Sequence, residues 1–449
     1  MKCVIVGGGQ VGGELAERMS RESWDVVVID TNSEKLARIS EKLDVLTIQG
    51  NGASARALEE AGVREAQILV AATPVDEINI MACMIGKKLG DPKTVARVRN
   101  TEYDDGTQRL SHRELGVDIM INPERVTALE IAKLIRTPMA SEVEYFAGGR
   151  VQMMVFRVHP NSEVVHRTLK SLPLSSRCLI SAIAREGGDV IIPQGEDIIR
   201  PHDHLYVLGE RGHLSEIGWL AKARDERVRN VVILGGGSIG CQVAQILQRN
   251  RRNGGLGIKI IDRDKHRCEQ IASQLDGILV IYGDAGDFDL LYQEEVSEAD
   301  VVVAVTGDDK TNILSGVLAK KMGAGKAIVE VTHPDYDPIL KSLGIDSSVS
   351  PRLLTAAEIL KITRRGKVLS VAILEDEKAE IIELEVAEGA RAVGKTLQGL
   401  RLPRGIIVGV IVRQGEVIVP KGDEMVRAGD TVIIFSLPET AALADRYFS

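Results

Sequence analysis

The chain has 449 residues, 44% hydrophobic and 27% charged, with a formal net charge of -8. The length predicts two to four domains of ordinary size, and the balance is that of a globular protein. The acidic charge excludes a surface built for non-specific binding to nucleic acid or anionic lipid. No apolar run approaches the roughly 18 residues of a membrane span, so the chain is expected to be soluble, without lipid insertion.

The opening MKCVIV starts directly on a strand, which predicts no signal peptide. A glycine turn follows, then a helix with Val11, Leu15 and Met19 four apart on one face. VVVID at 26–30 is the second strand, and Thr31 with Glu34 predicts a capping box opening the next helix. VLTI at 45–48, ILVAAT at 68–73 and TVARV at 94–98 continue the strands. Ile78, Met81, Ala82, Ile85 and Leu89 form a helical stripe between the last two. Apolar strands alternating with helices predict an α/β, doubly wound, Rossmann-like parallel sheet covered on both faces. Near Met139 the pattern shifts to short strands: VQMMVFRV, CLISAIAR, DVIIP and HLYVLG, with 163–172 as the one helical stretch. That is a small α+β module.

At residue 228 the sequence starts again. An offset of 233 aligns Gly50 with Gly283, Thr73 with Thr306, Asp76 with Asp309 and Asn79 with Asn312. The small module recurs at an offset of 228, where RTLKSL meets KTLQGL and Arg185 meets Arg413. The chain therefore reads as a tandem duplication of a two-module unit. Its expected boundaries are 1–138 and 228–366 for the Rossmann-like modules, and 139–227 and 367–449 for the small ones.

Gly7-x-Gly9-x-x-Gly12 follows a strand and opens a helix. The first glycine permits the tight turn, the second lets backbone approach a diphosphate, and the third lets helix pack on strand. The helix N-terminus offers free N–H groups to phosphates. Asp30 ends the second strand, where a carboxylate accepts from both ribose hydroxyls and repels a 2′-phosphate. NAD-type ligands fit this pattern and NADP does not. The second copy carries Gly235, Gly237, Gly240 and Asp262, with the insert RRNGGLG before its second strand read as a wider loop.

The copies differ where a phosphate chain would end. Arg97 and Arg99 alternate at the carboxyl end of the fifth strand, where two guanidiniums suit a terminal phosphate. The second copy has Glu330 and Thr332 there, and a carboxylate repels a triphosphate.

Cys3, Cys83, Cys178, Cys241 and Cys268 show no C-x-x-C spacing, which predicts a reducing compartment, with Cys3 and Cys241 as small buried hydrophobes. His202-Asp203-His204 reads as a polar turn, since RAGD fills the same place in the second copy, and no metal site is expected. The paired lysines 87–88 and 320–321 suit helix C-termini, and EDEKAE at 375–380 reads as a hairpin tip.

Two Rossmann modules, each followed by a small β-rich module, with the turns GGGQVG and GNGA, resemble the Trk potassium-uptake regulatory subunits, built from regulator-of-potassium-conductance modules. The resemblance covers essentially the whole chain. It implies a cytoplasmic protein, peripheral on the inner face of the membrane, forming a ring beneath a potassium-translocating membrane subunit. It also implies that the clefts bind NAD(H), with ATP or ADP as competing ligand. Carried over, the phosphate turn falls on Gly7, Gly9, Gln10, Val11 and Gly12, and the ribose acid on Asp30. The adenine-side turn falls on Asn51, the turn after the fourth strand on Ala72 and Thr73, and the phosphate arginines on Arg97 and Arg99. The counterparts are Gly235, Gly237, Ser238, Ile239, Gly240, Asp262, Asp284 and Thr306.

Two clefts with no His–carboxylate or Lys constellation beside both point away from an enzyme, so no catalytic residue is expected. An NAD-dependent oxidoreductase of a small molecule is the alternative; a scaffold with vestigial clefts is a third reading. A homo-oligomer, a tetramer, is expected, its pairing surface being the helices at 124–135 and 353–362 unless their stripes are used for core packing within the chain.

Overall fold

The computed structural model describes residues 1–21, 24–103, 111–185, 190–214, 228–249, 255–333, 336–363, 368–374 and 379–448. The first Rossmann module runs β1 (Lys2–Val6), α1 (Gln10–Arg21), β2 (Asp25–Asp30), α2 (Ser33–Lys42), β3 (Leu46–Gln49), α3 (Ala55–Glu60), β4 (Ile68–Ala71), α4 (Asp76–Gly90), β5 (Lys93–Arg97), β6 (Ile119–Ile121) and α5 (Pro123–Arg136). The first small module holds β7 (Glu142–Phe146), β8 (Val151–Arg157), β9 (Cys178–Ala184), β10 (Val190–Ile191) and β11 (His204–Glu210). The second Rossmann module runs β12 (Asn230–Leu234), α6 (Ser238–Arg249), β13 (Gly257–Asp262), α7 (Lys265–Gln274), β14 (Leu279–Tyr282), α8 (Phe288–Gln293), β15 (Val301–Ala304), α9 (Asp309–Met322), β16 (Lys326–Glu330), α10 (Asp337–Ser342), β17 (Ser347–Val349) and α11 (Pro351–Thr363). The second small module holds β18 (Val368–Leu374), β19 (Ala379–Glu385), α12 (Leu397–Leu400), β20 (Ile406–Arg413), β21 (Glu416–Ile418), β22 (Thr431–Ser436) and α13 (Pro438–Phe448).

Both large sheets are six-stranded and parallel, in the orders β3-β2-β1-β4-β5-β6 and β14-β13-β12-β15-β16-β17. The strand order reverses between β1 and β4, and between β12 and β15. A crevice opens at the carboxyl end of the strands at such a point. The small modules are five-stranded antiparallel sheets, β10-β9-β11-β8-β7 and β18-β19-β22-β20-β21. The doubly wound α/β class and the small α+β modules read from the sequence are the observed ones.

The chain divides into two compact units that each take one module from either half. Met1–Ala132 joins Asn230–Thr363, and Lys133–Arg229 joins Arg364–Ser449. In the first unit, Ala356, Ile359 and Leu360 of α11 are buried in the core formed by Ile5, Leu15, Met19 and Val28 of the other Rossmann module. The stripe expected to pair separate molecules is thus spent inside one chain. In the second unit, Tyr206 and Phe435 meet with ring centroids 6.0 Å apart, in a core that also holds Phe146, Val155, Ile381 and Ile433.

Local details depart from expectation. Asn32, not Thr31, caps α2, its side chain accepting from the N–H groups of Glu34 and Lys35. An Asn acceptor one residue nearer the helix meets both orphan donors, which displaces the Thr31 capping box. α4 buries Asn79, Cys83 and Gly86 and exposes Met81, so its inner face is rotated from the apolar stripe. A Cβ on Gly86 would stand 2.2 Å from Leu69, so a helix this close to its sheet admits only small side chains there. The helix expected at 163–172 shrinks to one 3-10 turn at Leu169–Ser171. Residues 251–254 of the RRNGGLG insert and 375–378 of the acidic tip lie outside the described residues. Among the described residues, no helix is long and apolar enough to cross a membrane.

Candidate functional site

The first crevice is built by the turn between β1 and α1. Gly7 has φ +105°, and a Cβ there would stand 3.0 Å from the Thr73 nitrogen. A Cβ on Gly12 would sit 1.8 Å from the Gly7 carbonyl oxygen, so the third glycine is required for the helix to start where it does. Nothing lies within 4 Å of a Cβ on Gly9. That open position is the cradle a diphosphate needs, and its fit to an adenine dinucleotide or nucleotide rests on it. Gln10 is exposed and Val11 half-buried, the opening residues of α1. Asp30 is half-buried. Its Oδ2 accepts from the Gly8 N–H at 2.7 Å and its Oδ1 from the Asn32 N–H at 2.8 Å. No cation pairs with it among the described residues, so the remaining lone pairs face outward as acceptors.

The far wall is the end of β4. Ala72 is held by its N–H on the Val6 carbonyl at 2.8 Å, and Thr73 by Asn79, whose Oδ1 accepts from the Thr73 nitrogen at 2.9 Å and from the Thr73 hydroxyl at 2.7 Å. The Asn79 amide donates to the carbonyls of Thr73 at 2.9 Å and Arg97 at 2.8 Å. It is fully buried and ties two strand ends together. Asp76 accepts from the Arg99 and Asn100 N–H groups at 2.9 and 2.8 Å. Asn51 forms a turn of its own, its Oδ1 accepting from Ala53 N–H at 2.9 Å.

Arg97 is 9% exposed, with Nη1 donating to the Thr73 carbonyl at 3.1 Å and Nε without a partner. Burial, then the neighbouring Arg99, pulls its pKa down, against Glu124 and Asp76. Arg99 is exposed, and its Nε lies 3.2 Å from Glu124 Oε1. The two arginines thus stand together, one buried and one exposed and paired with Glu124.

The second crevice repeats the frame. Gly235 has φ +111°, a Cβ on Gly240 would sit 2.0 Å from the Gly235 oxygen, and Gly237 faces open space. Ser238 is exposed and Ile239 half-buried at the start of α6. Asn312 holds the Thr306 nitrogen and hydroxyl, each at 2.7 Å, and donates to the Glu330 carbonyl at 3.0 Å. Asp284 makes the same turn as Asn51, accepting from Gly286 N–H at 2.8 Å. With Gly286, Asp287, Lys310, Thr311 and Leu314 it lines an open cavity of about 500 Å³.

Its chemistry differs. Asp262 is 5% exposed and accepts from Gly236 and Asp264 N–H groups at 2.7 and 2.8 Å. Arg267 Nη1 adds an ion pair, 3.2 Å from Oδ2. The first copy has Lys35 at the Arg267 position, and no pairing with Asp30. Glu330 is 8% exposed, and its pKa is raised to about 7, first by burial, then by Asp309 and by Glu124 of the other Rossmann module. Asp309 lies 2.8 Å from the His333 ring nitrogen. Cys241 is half-exposed rather than buried, its thiol donating to the Gly236 carbonyl at 3.2 Å in the cradle itself. Cys3 is buried.

Sequence reasoning missed the brackets Asn79/Asn312 and Asp76/Asp309, although their recurrence at one offset was the available signal. It also missed Arg267, whose role depends on a helix turn. Among the described residues no group of His, Cys, Asp and Glu has the arrangement of a metal site, and Asp203 instead takes the Arg200 N–H at 2.8 Å and Arg185 at 3.3 Å.

The TrkA-N domain model matches residues 3–123 and 231–351, and the TrkA-C domain model residues 153–218 and 381–449. The Trk system potassium uptake protein TrkA homolog 1 of Methanosarcina mazei is 38% identical over 455 residues, covering 100% of both chains. A solved structure described as the GsuK channel bound to NAD aligns with a TM-score of 0.61 at 19% identity, over 100% of this chain and 78% of that one. One described as GsuK bound to ADP aligns at 0.51 and 15%, over 80% of this chain and 68% of that one. With each cradle inside a TrkA-N match and full-length identity to a TrkA homologue, the chain belongs to the TrkA family of Trk system potassium uptake proteins.

Proposed function

We propose that the protein is the nucleotide-sensing regulatory subunit of a potassium uptake system. It acts on the cytoplasmic face, peripheral to the membrane, and controls a membrane potassium-translocating subunit without catalysing a reaction. The observation that carries this reading is the duplicated cradle with its ribose acid, set in two Rossmann modules that share a core. Ligand binding in either crevice then bears directly on how the modules pack. The TrkA relative supplies the transport system, and the GsuK structures carry NAD and ADP in the same fold.

In this reading Gly7, Gly9, Gln10, Val11 and Gly12 hold the phosphates of NAD(H) or of ATP and ADP, and Asp30 takes the ribose. Asn51 borders the adenine, Ala72 and Thr73 form the far wall, and Arg97 and Arg99 meet a phosphate end. A homotetrameric ring sums the effect. A tenfold preference for one shape is worth about 1.4 kcal/mol per site, and several sites approach the roughly 5.5 kcal/mol that reverses a 1:99 equilibrium. Two measurements test the proposal. Thermal unfolding with NADH and NADPH should show stabilisation by NADH alone, and equal stabilisation removes the role of Asp30. Potassium flux through the reconstituted membrane partner should depend on nucleotide, and flux indifferent to every nucleotide removes the sensing role.

A further inference from the structure

The second Rossmann module sends a cation to α1, the helix that opens the first crevice. α11 packs along α1, the helix whose N-terminus carries the Gly7–Gly12 cradle. Arg352 lies in the first turn of α11, and its Nη2 stands 3.6 Å from Oε2 of Glu14, in the second turn of α1. The direction of α11 fixes which edge of the sheet Arg352 occupies. Its last turn lies at Lys93, whose Nζ donates to the Ile362 carbonyl at 3.4 Å, and Lys93 opens β5 at the amino edge. The first turn therefore stands at the carboxyl edge, where Rossmann ligands bind.

Arg352 is under-used where it sits. Its side chain is 16% exposed, its Nε is buried without a partner, and its contact with Glu14 is long. Glu14 is already matched by Arg18, whose Nε lies 2.7 Å from Oε1. A guanidinium presents five donors in a fixed fork, suited to phosphate oxygens, and buried donors left unmet are costly. The repeat sharpens the point. Pro123 and Pro351 open α5 and α11, so Glu124 occupies the position of Arg352. The position of Glu14 falls on Gln242 in α6. Where the first module's α1 meets an arginine from the other module, the matching position is a carboxylate, Glu124, which pairs with Arg99 of its own module and raises the pKa of Glu330 in the other.

We propose that Arg352 binds the phosphate chain of the nucleotide in the first crevice, from the opposite module, alongside Arg97 and Arg99. Binding of a polyphosphate thereby clamps the two Rossmann modules together at α1 and α11. This rests on the reading that the first crevice takes adenine nucleotides. The clamp discriminates by phosphate number, because adenosine contacts do not involve Arg352.

The test is calorimetric titration of the full-length protein with ATP, ADP and AMP. Arg352→Gln should weaken ATP about tenfold, ADP less, and AMP within twofold. ATP binding unchanged within twofold, or AMP weakened as much as ATP, overturns the proposal. Glu14→Gln releases Arg352 without removing it and should tighten ATP relative to AMP. An unchanged ATP-to-AMP ratio in that variant overturns the proposal even if Arg352→Gln does not fold. Gly9→Asp separates the two levels: its side chain has room in the protein and fills the cradle. ATP binding equal in wild type and Gly9→Asp refutes the nucleotide reading of the crevice itself.

Discussion

The two Rossmann modules share a frame and differ in charge. Both have the three glycines, the acid at the end of the second strand and the buried Asn that ties the fourth and fifth strand ends. Around the first frame stand Arg97, Arg99 and Arg352, with Glu124 paired to Arg99, and around the second stands Glu330, whose carboxyl also feels Glu124. Asp30 is held by backbone alone, whereas Asp262 is also paired with Arg267. Duplication kept the backbone geometry that any nucleotide requires. The copies diverged in the charged side chains around that geometry. The lesson is that fold likeness between the halves leaves their electrostatics free to differ.

The largest expected effect tests how far the modules are one body. Ile359 of α11 is fully buried in the core of the other module. Ile359→Ala should cost about 2–5 kcal/mol in chemical denaturation. A loss under about 1 kcal/mol would mean that α11 does not share the first module's core in solution. Next in size is the ribose acid. With Gly237→Asp blocking the second cradle, Asp30→Ala should weaken NADH by about 1–3 kcal/mol, the range for a charge-assisted hydrogen bond. With Gly9→Asp blocking the first, Asp262→Ala should change NADH binding much less, because Arg267 already uses that carboxylate. Equal losses in the two backgrounds would erase the contrast drawn between the acids.

The sequence revealed the frame and not the exchange between halves. Strand and helix periodicity placed the first five strands of the first large sheet, the repeat carried that pattern to the second, and the glycine spacing placed both cradles, since each depends on residues adjacent in the chain. The three-residue edge strands β6 and β17 are too short to show a period. The offset of 233 made Asn79 and Asn312 visible as a pair, although their job of bridging Thr73 to Arg97 appears only in three dimensions. The apolar stripe of α11 was legible as a packing face. Its partner was not, because α1 lies more than three hundred residues away in the chain. Arg352 stayed invisible for the same reason: its meaning lies in Glu14, across the module boundary.

Glu330 supplies a pH test of the same contrast. Its folded-state pKa is raised to about 7 against an ordinary 4.5. Between those values the folded chain holds a proton that the unfolded chain releases, so stability falls as pH rises from about 4.5 to 7. The loss is on the order of 3 kcal/mol at about 1.4 kcal/mol per pKa unit. Glu330→Gln should be more stable than wild type at pH 8 and should flatten this part of the stability profile. An unchanged profile would show that Glu330 is hydrated rather than buried against Asp309 and Glu124.

The smallest effect probes the cradles directly. Gly13 follows the third glycine in the first turn of α1, and a Cβ there would meet nothing within 4 Å. Cys241 stands at this position in the second copy and turns its thiol back to the Gly236 carbonyl. A methyl here therefore meets no neighbour, and the longer Cys241 side chain folds back onto the backbone of the turn. Gly13→Ala should stabilise the ligand-free chain by about 0.5–1 kcal/mol through the helix preference for alanine. It should leave NADH affinity unchanged, whereas Gly12→Ala, forced against the Gly7 oxygen, should lose binding at the first crevice. Weaker NADH binding in Gly13→Ala would place the ligand over this turn. The thiol of Cys241 would then be a further obstacle to a nucleotide in the second crevice, in addition to the charges of Glu330 and Glu124.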